Sequence, residues 1–386
     1  MRILHLTSHL DVGGITTYVV TLSEALAARG HEVLVASGGG ALEARLERSR
    51  IAHWTLPLRT SAEFSPAVLW SAWQLDRRLA QHPVDMLHAH TRVAQVVAAW
   101  VSHRRGIPYV TTWHGFFRNR WSRRAWPCTG WLTIAISDPV RQSLRAQFGL
   151  PESRIRLIPN GVPVDYFAST PSSTEIAAAR QQHGIPAGAL VIGSVGRLAS
   201  GPVKGYDRLL AAAARVMAEM PALHVVIAGE GPGRSQIETQ ARQLGLESRV
   251  HLVGTDVDGR VALALMDVFV FPVRAQEGFG LALIEAMASG KPVVATRTGA
   301  IPSIVRPDLD GLLVPEEDEA ALAAAIRRLL QDRVYAGQLG QRAQQRVRET
   351  FNLDRVAEQA EAVYAECRHV TKDKVQVARG ALNLAP

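Results

Sequence analysis

Residues 274–295 read RAQEGFGLALIEAMASGKPVVA, and this stretch decides how the whole chain is understood. Glu277 and Glu285 stand eight positions apart around Phe279-Gly280, with an apolar helical pattern over 281–289 behind them. Gly278 and Gly280 lack a Cβ, so backbone there can approach a ligand closely. The helix begins at that turn, and its unpaired N–H groups and the positive end of its dipole point into it. Those are the ingredients of a phosphate site. Two acceptor-only carboxylates beside an anion site suit a ligand with both phosphates and hydroxyls, such as a sugar nucleotide. An ordinary strand–loop–helix with surface glutamates has the same local pattern.

The segment resembles the E-x7-E region of retaining glycosyltransferases of the GT-B type, family four. That pattern reads E-x-F-G-x-x-x-x-E-A-M-A-x-G-x-P-V-V-A, and every fixed position is present. Further blocks follow the family's order: MRILHLT with Gly13-Gly14 at the start, HGF at 114–116, IPNGV at 158–162, GRL at 196–198, KG at 204–205 and AGEGP at 228–232. The resemblance implies two doubly wound, Rossmann-like α/β domains facing a central cleft. It also implies a nucleotide-diphosphate sugar as donor, transfer with retention of configuration, and no metal or other cofactor.

The bulk properties fit two domains. A chain of 386 residues can form two cores, and 47% apolar with 20% charged is an ordinary globular composition. No stretch approaches the ~20 apolar residues of a membrane span. His5, His9 and Asp11 interrupt the hydrophobic start and no small-residue cleavage site follows, so it reads as a buried first strand and not a signal peptide. Two lone cysteines, Cys128 and Cys367, point to a reducing compartment and exclude a disulfide framework. The expected location is the cytoplasm, with peripheral attachment to the inner face of the membrane as an option.

Charge is unevenly placed. Residues 1–165 hold 19 arginines, no lysine and 11 acidic residues, a net +8, so the remaining residues are neutral. All eight tryptophans lie between Trp54 and Trp131. Such a half suits an anionic or amphiphilic partner, although 39 arginines against 4 lysines also reflects simple compositional bias. The sharpest local feature is FFRNRWSRRAW at 116–126. Here Arg118, Arg120, Arg123 and Arg124 interleave with Trp121 and Trp126, as in a segment lying on an anionic membrane surface. An irregular acceptor-side loop reads the same way, and nothing else suggests a nucleic-acid partner.

Strand-like runs alternate with helical patterns throughout, which implies βαβ units and parallel sheets. The first series is 2–6, 31–37, 86–89, 109–112 and 131–136, with a helix over 16–29. A second series follows at 191–195, 224–228, 250–253, 268–271 and 292–295. Residues 160–186 read as a linker followed by a helix. The expected division is an acceptor-side domain over 1–165 and a donor-binding domain over 166–352. A helix from 353 packs back on the first, with an irregular tail over 369–386.

Individual residues take their roles from the resemblance. Gly196, Arg197 and Lys204 belong to the turn GRLASGPVKG after the strand 191–195. Two cations at a strand's carboxyl end can grip a diphosphate, though a solvated loop would look alike; the family reading is donor-diphosphate binding and charge offset on the leaving group. Gly229 and Glu230 would border the nucleobase. Glu285 would meet the ribose hydroxyls, Glu277 the hydroxyls of the transferred sugar, and the backbone of Phe279, Gly280 and Leu281 the phosphate or sugar. Gly13-Gly14 forms a second glycine-rich helix start, where Ile15, Thr16 and Thr17 replace the Glu the family often carries. A lone histidine is usually structural, but the HGF match implies that His114 touches the transferred sugar or stabilises the reaction centre. Asn160-Gly161 would shape the domain junction.

Two other readings have weaker support. Asp256-Val257-Asp258 is formally a metal-binding D-x-D, but it lies outside the expected context, and Arg197, Lys204 and a helix start can offset diphosphate charge without metal. A pyridoxal-type phosphorylase needs a Schiff-base lysine, and only Lys204 and Lys291 are candidates, both within glycosyltransferase motifs. A sugar-nucleotide epimerase or a non-catalytic sugar-nucleotide-binding protein completes the alternatives. The intact set of Glu277, Glu285, Arg197 and Lys204 speaks against the last.

Overall fold

The computed structural model describes residues 1–117, 121–274 and 277–382, the side chains of 202 and 369–382 excepted. Arg118 and Arg120 lie outside the described residues. The chain forms two compact units, Met1–Gly161 with Leu353–Pro386, and Val162–Asn352.

The first unit is built on seven parallel strands: β1 Arg2–Leu6, β2 Glu32–Ser37, β3 Ala52–Thr55, β4 Met86–Ala89, β5 Tyr109–Trp113, β6 Leu132–Ala135 and β7 Ile155–Leu157, in the order β3-β2-β1-β4-β5-β6-β7. Its central strands are almost wholly buried, as expected where helices cover both faces of a parallel sheet. One face packs on the helices Gly14–Ala28 and Leu353–Leu382 through Val19, Leu22, Leu26, Val356 and Tyr364. The other packs on Pro66–Gln81 and Arg92–Arg105 through Leu75, Leu79, Val97 and Val101.

The second unit carries β8 Leu190–Val195, β9 Leu223–Ala228, β10 Val250–Gly254, β11 Val268–Phe271, β12 Val293–Thr296 and β13 Leu312–Val314, in the order β10-β9-β8-β11-β12-β13. Its ladders are parallel as well. Both sheets are therefore doubly wound. The direction of winding reverses between β1 and β4 in the first unit and between β8 and β11 in the second. Open α/β sheets bind ligands at the strand carboxyl ends beside such a switch point.

Strands β3, β7 and β13 were not anticipated from sequence. All three are sheet edges of three or four residues, too short to stand out as strands in sequence. The stretch read as a linker followed by a helix carries the helix Ser173–Gln182, started by a reciprocal capping box between Ser172 and Glu175, and a shorter one before it, Val164–Ala168. Where the chain passes between units, Val162 N–H donates to Phe351 C=O at 2.9 Å. The final helix continues to Leu382, past the irregular tail expected from 369. Glu361 ties it to Arg29 at 2.8 Å and His31 at 2.7 Å.

Candidate active site

In the second unit the candidate site is assembled from connections on either side of the switch. The turn after β8 is fixed to the turn after β9: Gly196 N–H donates to Ala228 C=O at 2.9 Å, Leu198 N–H to Glu230 C=O at 3.0 Å, and Gly233 N–H to Leu198 C=O at 2.8 Å. The approach is so close that a Cβ on Gly229 would lie 2.0 Å from the Gly196 carbonyl oxygen, and one on Gly205 would lie 1.7 Å from that of Pro272. Glycine is obligatory at both positions.

Across the switch, Lys204 Nζ donates to Glu277 Oε2 at 2.9 Å, with both side chains less than a third exposed. Arg274 reinforces the same junction through its N–H to Val203 C=O at 3.0 Å and its guanidinium to Asp207 at 2.8 Å. Ala300 N–H, in the turn after β12, donates to Glu277 C=O at 3.0 Å. Glu277 thus ties the connection after β11 to those after β8 and β12. Arg197 is exposed beside this pair in sequence. Glu230 is held by Arg234 Nη1 at 2.9 Å, whose Nη2 also reaches Leu252 C=O at 3.3 Å.

Phe279 is buried, its ring edge-on to Phe351 at 5.6 Å. Its side chain serves packing, leaving only its backbone for a ligand. Gly280 begins the helix Leu281–Ala288 with no side-chain cap, so donors of the first turn remain for an anion. Glu285 sits in the second turn, half-buried.

The first unit has its own assembly at the β1/β4 switch. Gly13 begins the helix Gly14–Ala28, again with no side-chain cap and no acidic residue in the first turn. The Thr16 hydroxyl turns inward, donating to Asp11 C=O at 2.5 Å and lying 2.9 Å from Gly13 C=O. His114 follows β5, its ring 5.0 Å from that of Tyr18. Its Nε2 lies 3.2 Å from His90 Nδ1, and His90 Nε2 lies 2.9 Å from His5 Nδ1. His88, opposite His5 in the β1/β4 register, has Nδ1 2.7 Å from the Tyr364 hydroxyl and Nε2 2.7 Å from that of Thr112. Burial pushes His5 down to about 3 and holds His88, His90 and His114 well below the usual histidine range. All four rings are neutral at pH 7. His5, His88 and His90 present ring nitrogens within 4.8 Å of one another. Both nitrogens of His88 are nevertheless committed to hydroxyls, which leaves no lone pair for a common metal ion.

Comparison with known proteins fits this geometry. Residues 12–166 match the family described as Glycosyltransferase Family 4, and residues 175–346 that described as Glycosyl transferases group 1. The phosphatidyl-myo-inositol mannosyltransferase of Mycobacterium leprae is 31% identical over 380 residues, spanning 95% of this chain and 96% of its own. The chain belongs to the family-four glycosyltransferases. A D-inositol 3-phosphate glycosyltransferase of Geodermatophilus obscurus is 32% identical over 370 residues, covering 83% of this chain and 78% of its own. Among solved structures, Anabaena Alr3699/HepE in complex with UDP-glucose matches with a TM-score of 0.82 and 26% identity over 95% of this chain and all 100% of that one. WaaG, a glycosyltransferase involved in lipopolysaccharide biosynthesis, shares the fold at a TM-score of 0.71 and 17% identity, over 94% of this chain and 99% of its own. The two doubly wound units are those of a GT-B glycosyltransferase.

Three further features of this glycosyltransferase bear on the sequence-based reading. Asp258 is engaged as a helix cap: its Oδ1 accepts from Arg260 N–H at 2.9 Å and its Oδ2 from the Tyr166 hydroxyl at 2.7 Å. Arg123, one of the arginines that the sequence suggested for a membrane contact, turns inward to Glu63 at 3.1 Å, and Glu63 also accepts from the buried Arg92 at 2.7 Å. Arg123 is therefore a structural cation. The aromatic surface is instead broader than 116–126. Trp121 is 83% exposed, Trp126 stacks on exposed Phe64 at 6.3 Å, and exposed Trp70 and Trp73 stack on each other at 4.6 Å along the helix Pro66–Gln81.

Sequence reasoning passed over His5, His88 and His90. The available signal was the alternation His88-Ala89-His90 in an otherwise apolar strand, which puts two polar rings on one buried face.

Proposed function

We propose that this glycosyltransferase moves a sugar from a nucleotide-diphosphate donor to a glycan or lipid-linked acceptor, retaining the anomeric configuration and using no metal ion. The carrying observation is the Lys204–Glu277 pair at the second unit's switch point, with Arg197 and the uncapped start of Leu281–Ala288 in the same turn set. A donor would enter by exchange. Its diphosphate takes Lys204 and Arg197, its transferred sugar takes Glu277, and its ribose takes Glu285. Charge that grows on the diphosphate as the glycosidic bond breaks is then met by groups already in place, which lowers the barrier without a Lewis acid. The acceptor attacks from the face the diphosphate leaves. Gly229 and Glu230 border the base; in the first unit, Gly13-Gly14 and His114 keep the roles that the family resemblance implies.

The Anabaena relative's UDP-glucose supports a UDP-linked donor, with a GDP-linked one as the other option. The phosphatidyl-myo-inositol mannosyltransferase supports a lipid-borne acceptor and the D-inositol 3-phosphate glycosyltransferase a small polar one. The arginine-rich, aromatic first unit supports docking on the anionic inner face of the cytoplasmic membrane, through Trp121, Arg124 and Trp126 together with Phe64, Trp70 and Trp73. An epimerase, a phosphorylase or a non-catalytic binder would leave the paired Lys204 and Glu277 without this use.

The test is a thermal-shift screen against nucleotide sugars, followed by NMR of the product with EDTA present. A ligand at one hundred times its Kd stabilises by about 2.7 kcal/mol. Inversion at the anomeric carbon, or no stabilisation by any nucleotide sugar, would refute the reading.

A further inference from the structure

We propose that His5 and His90 are positioning residues that fix His114 as its Nδ1–H tautomer, so that His114 meets its ligand as a hydrogen-bond donor and not as a base. The use of that donor rests on reading His114 as a contact to the transferred sugar; the tautomer itself does not.

Three rings are linked end to end, His5 Nδ1 to His90 Nε2 at 2.9 Å and His90 Nδ1 to His114 Nε2 at 3.2 Å. A neutral imidazole has one N–H and one lone pair, so each ring can donate at one end and accept at the other. Only two arrangements satisfy both links. With protons running outward, His5 Nδ1–H donates to His90 Nε2, His90 Nδ1–H donates to His114 Nε2, and His114 keeps its proton on Nδ1. With protons running inward, His114 Nε2–H donates to His90, His90 Nε2–H donates to His5, and His5 keeps its proton on Nε2.

The buried end decides between them. His5 Nε2 is enclosed with no hydrogen-bond partner. The inward arrangement strands an N–H donor there, whereas the outward one leaves only a lone pair. Buried orphan N–H groups are the rarer and more costly defect. The requirement is local to the core, yet its result is read at His114, because each ring passes on the choice of its neighbour.

The consequence is testable without turnover. A free neutral imidazole favours Nε2–H, so the relay imposes the opposite pattern. In nitrogen-15 NMR of the full-length protein labelled at histidine, with His114→Gln used to identify the His114 ring signals by difference, wild type at pH 7 shows a protonated Nδ1 and a bare Nε2. His90→Phe uncouples the ring, and His114 reverts to an Nε2–H-rich mixture; kcat falls while the affinity for free nucleotide diphosphate is unchanged. An Nε2–H or charged His114 in wild type overturns the proposal. So does stoichiometric zinc in the purified protein that is lost on His5→Phe, since a metal would take the same nitrogens. An inactive protein that still gives the Nδ1–H pattern sustains the relay while sinking the sugar-transfer reading.

Discussion

Lys204 Nζ and Glu277 Oε2 lie 2.9 Å apart, closing the second unit's switch point with an ion pair of zero net charge. On the proposed reading, a donor's diphosphate would have to displace that carboxylate to reach Lys204. Arg197→Ala or Lys204→Ala should lower kcat by orders of magnitude, because each acts on charge that develops in the transition state. Single-turnover kinetics read this directly, and Lys204→Ala with normal turnover would remove the pair from the mechanism.

The two glutamates should separate by ligand. Glu285→Ala weakens donor and free nucleotide diphosphate alike, by about 1.5–3 kcal/mol for lost charge-assisted hydrogen bonds, roughly ten- to over a hundredfold in Kd. Glu277→Ala spares free nucleotide diphosphate and reduces transfer. Calorimetric titration of both variants decides, and equal loss of nucleotide binding would reverse the two assignments.

Three buried histidines and the partly buried His114 make a pH prediction of definite sign. His5, His88, His90 and His114 have folded pKa values far below the ~6.5 of an unfolded histidine. Below that value the unfolded chain binds more protons, so stability rises with pH. It is fully present above about pH 6.5 and falls by up to ~1.4 kcal/mol per pH unit for each ring as acid is added. Urea unfolding between pH 7.5 and 5 should show a slope of several protons; a flat profile would mean that the rings are charged or exposed in the native protein.

Gly229→Ala places a methyl group 2.0 Å from the Gly196 carbonyl oxygen, at a residue whose φ is +146°. The clash and the backbone strain together should cost roughly 2–4 kcal/mol. Because the displaced backbone carries Gly196 and Arg197, donor affinity should fall with the melting temperature. Unchanged stability would show that the two turns separate easily.

Membrane docking has a cleaner test than removal of every arginine near 116–126. Arg123→Gln would leave Glu63 with one fewer partner in a buried cluster. The variant that spares it, with Arg118, Arg120 and Arg124 all changed to Gln, should release the protein from anionic liposomes at about 1 kcal/mol per charge near the surface. Added salt should release wild type by screening, and Trp121→Ser with Trp126→Ser should weaken binding even at low salt. Wild type that ignores anionic liposomes at low salt points to a soluble acceptor.

Much of this was legible before any coordinates. The central strands announce themselves because burial on both faces favours short, mostly apolar runs, such as VFVF at 268–271. The E-x7-E stretch carries its turn, its helix and both carboxylates within one local segment. What escaped was whatever depends on pairing across distance. Strands β3, β7 and β13 are short edges. The inward turn of Arg123 depends on Glu63, sixty residues earlier. The histidine relay needs β1, β4 and β5 in register, and no window of sequence contains all three.

The helix Leu353–Leu382 belongs to the first unit, yet it is made after the whole of the second. Val356, Ala360, Val363 and Tyr364 complete a core whose other members are made before the second unit, and the Tyr364 hydroxyl is the partner of His88. The second unit can fold as it leaves the tunnel, since its strands and helices are contiguous. The first must wait with an uncovered sheet face until the second has been made. Any nascent chain stalled before Leu353 thus exposes a hydrophobic surface open to chaperones and proteases.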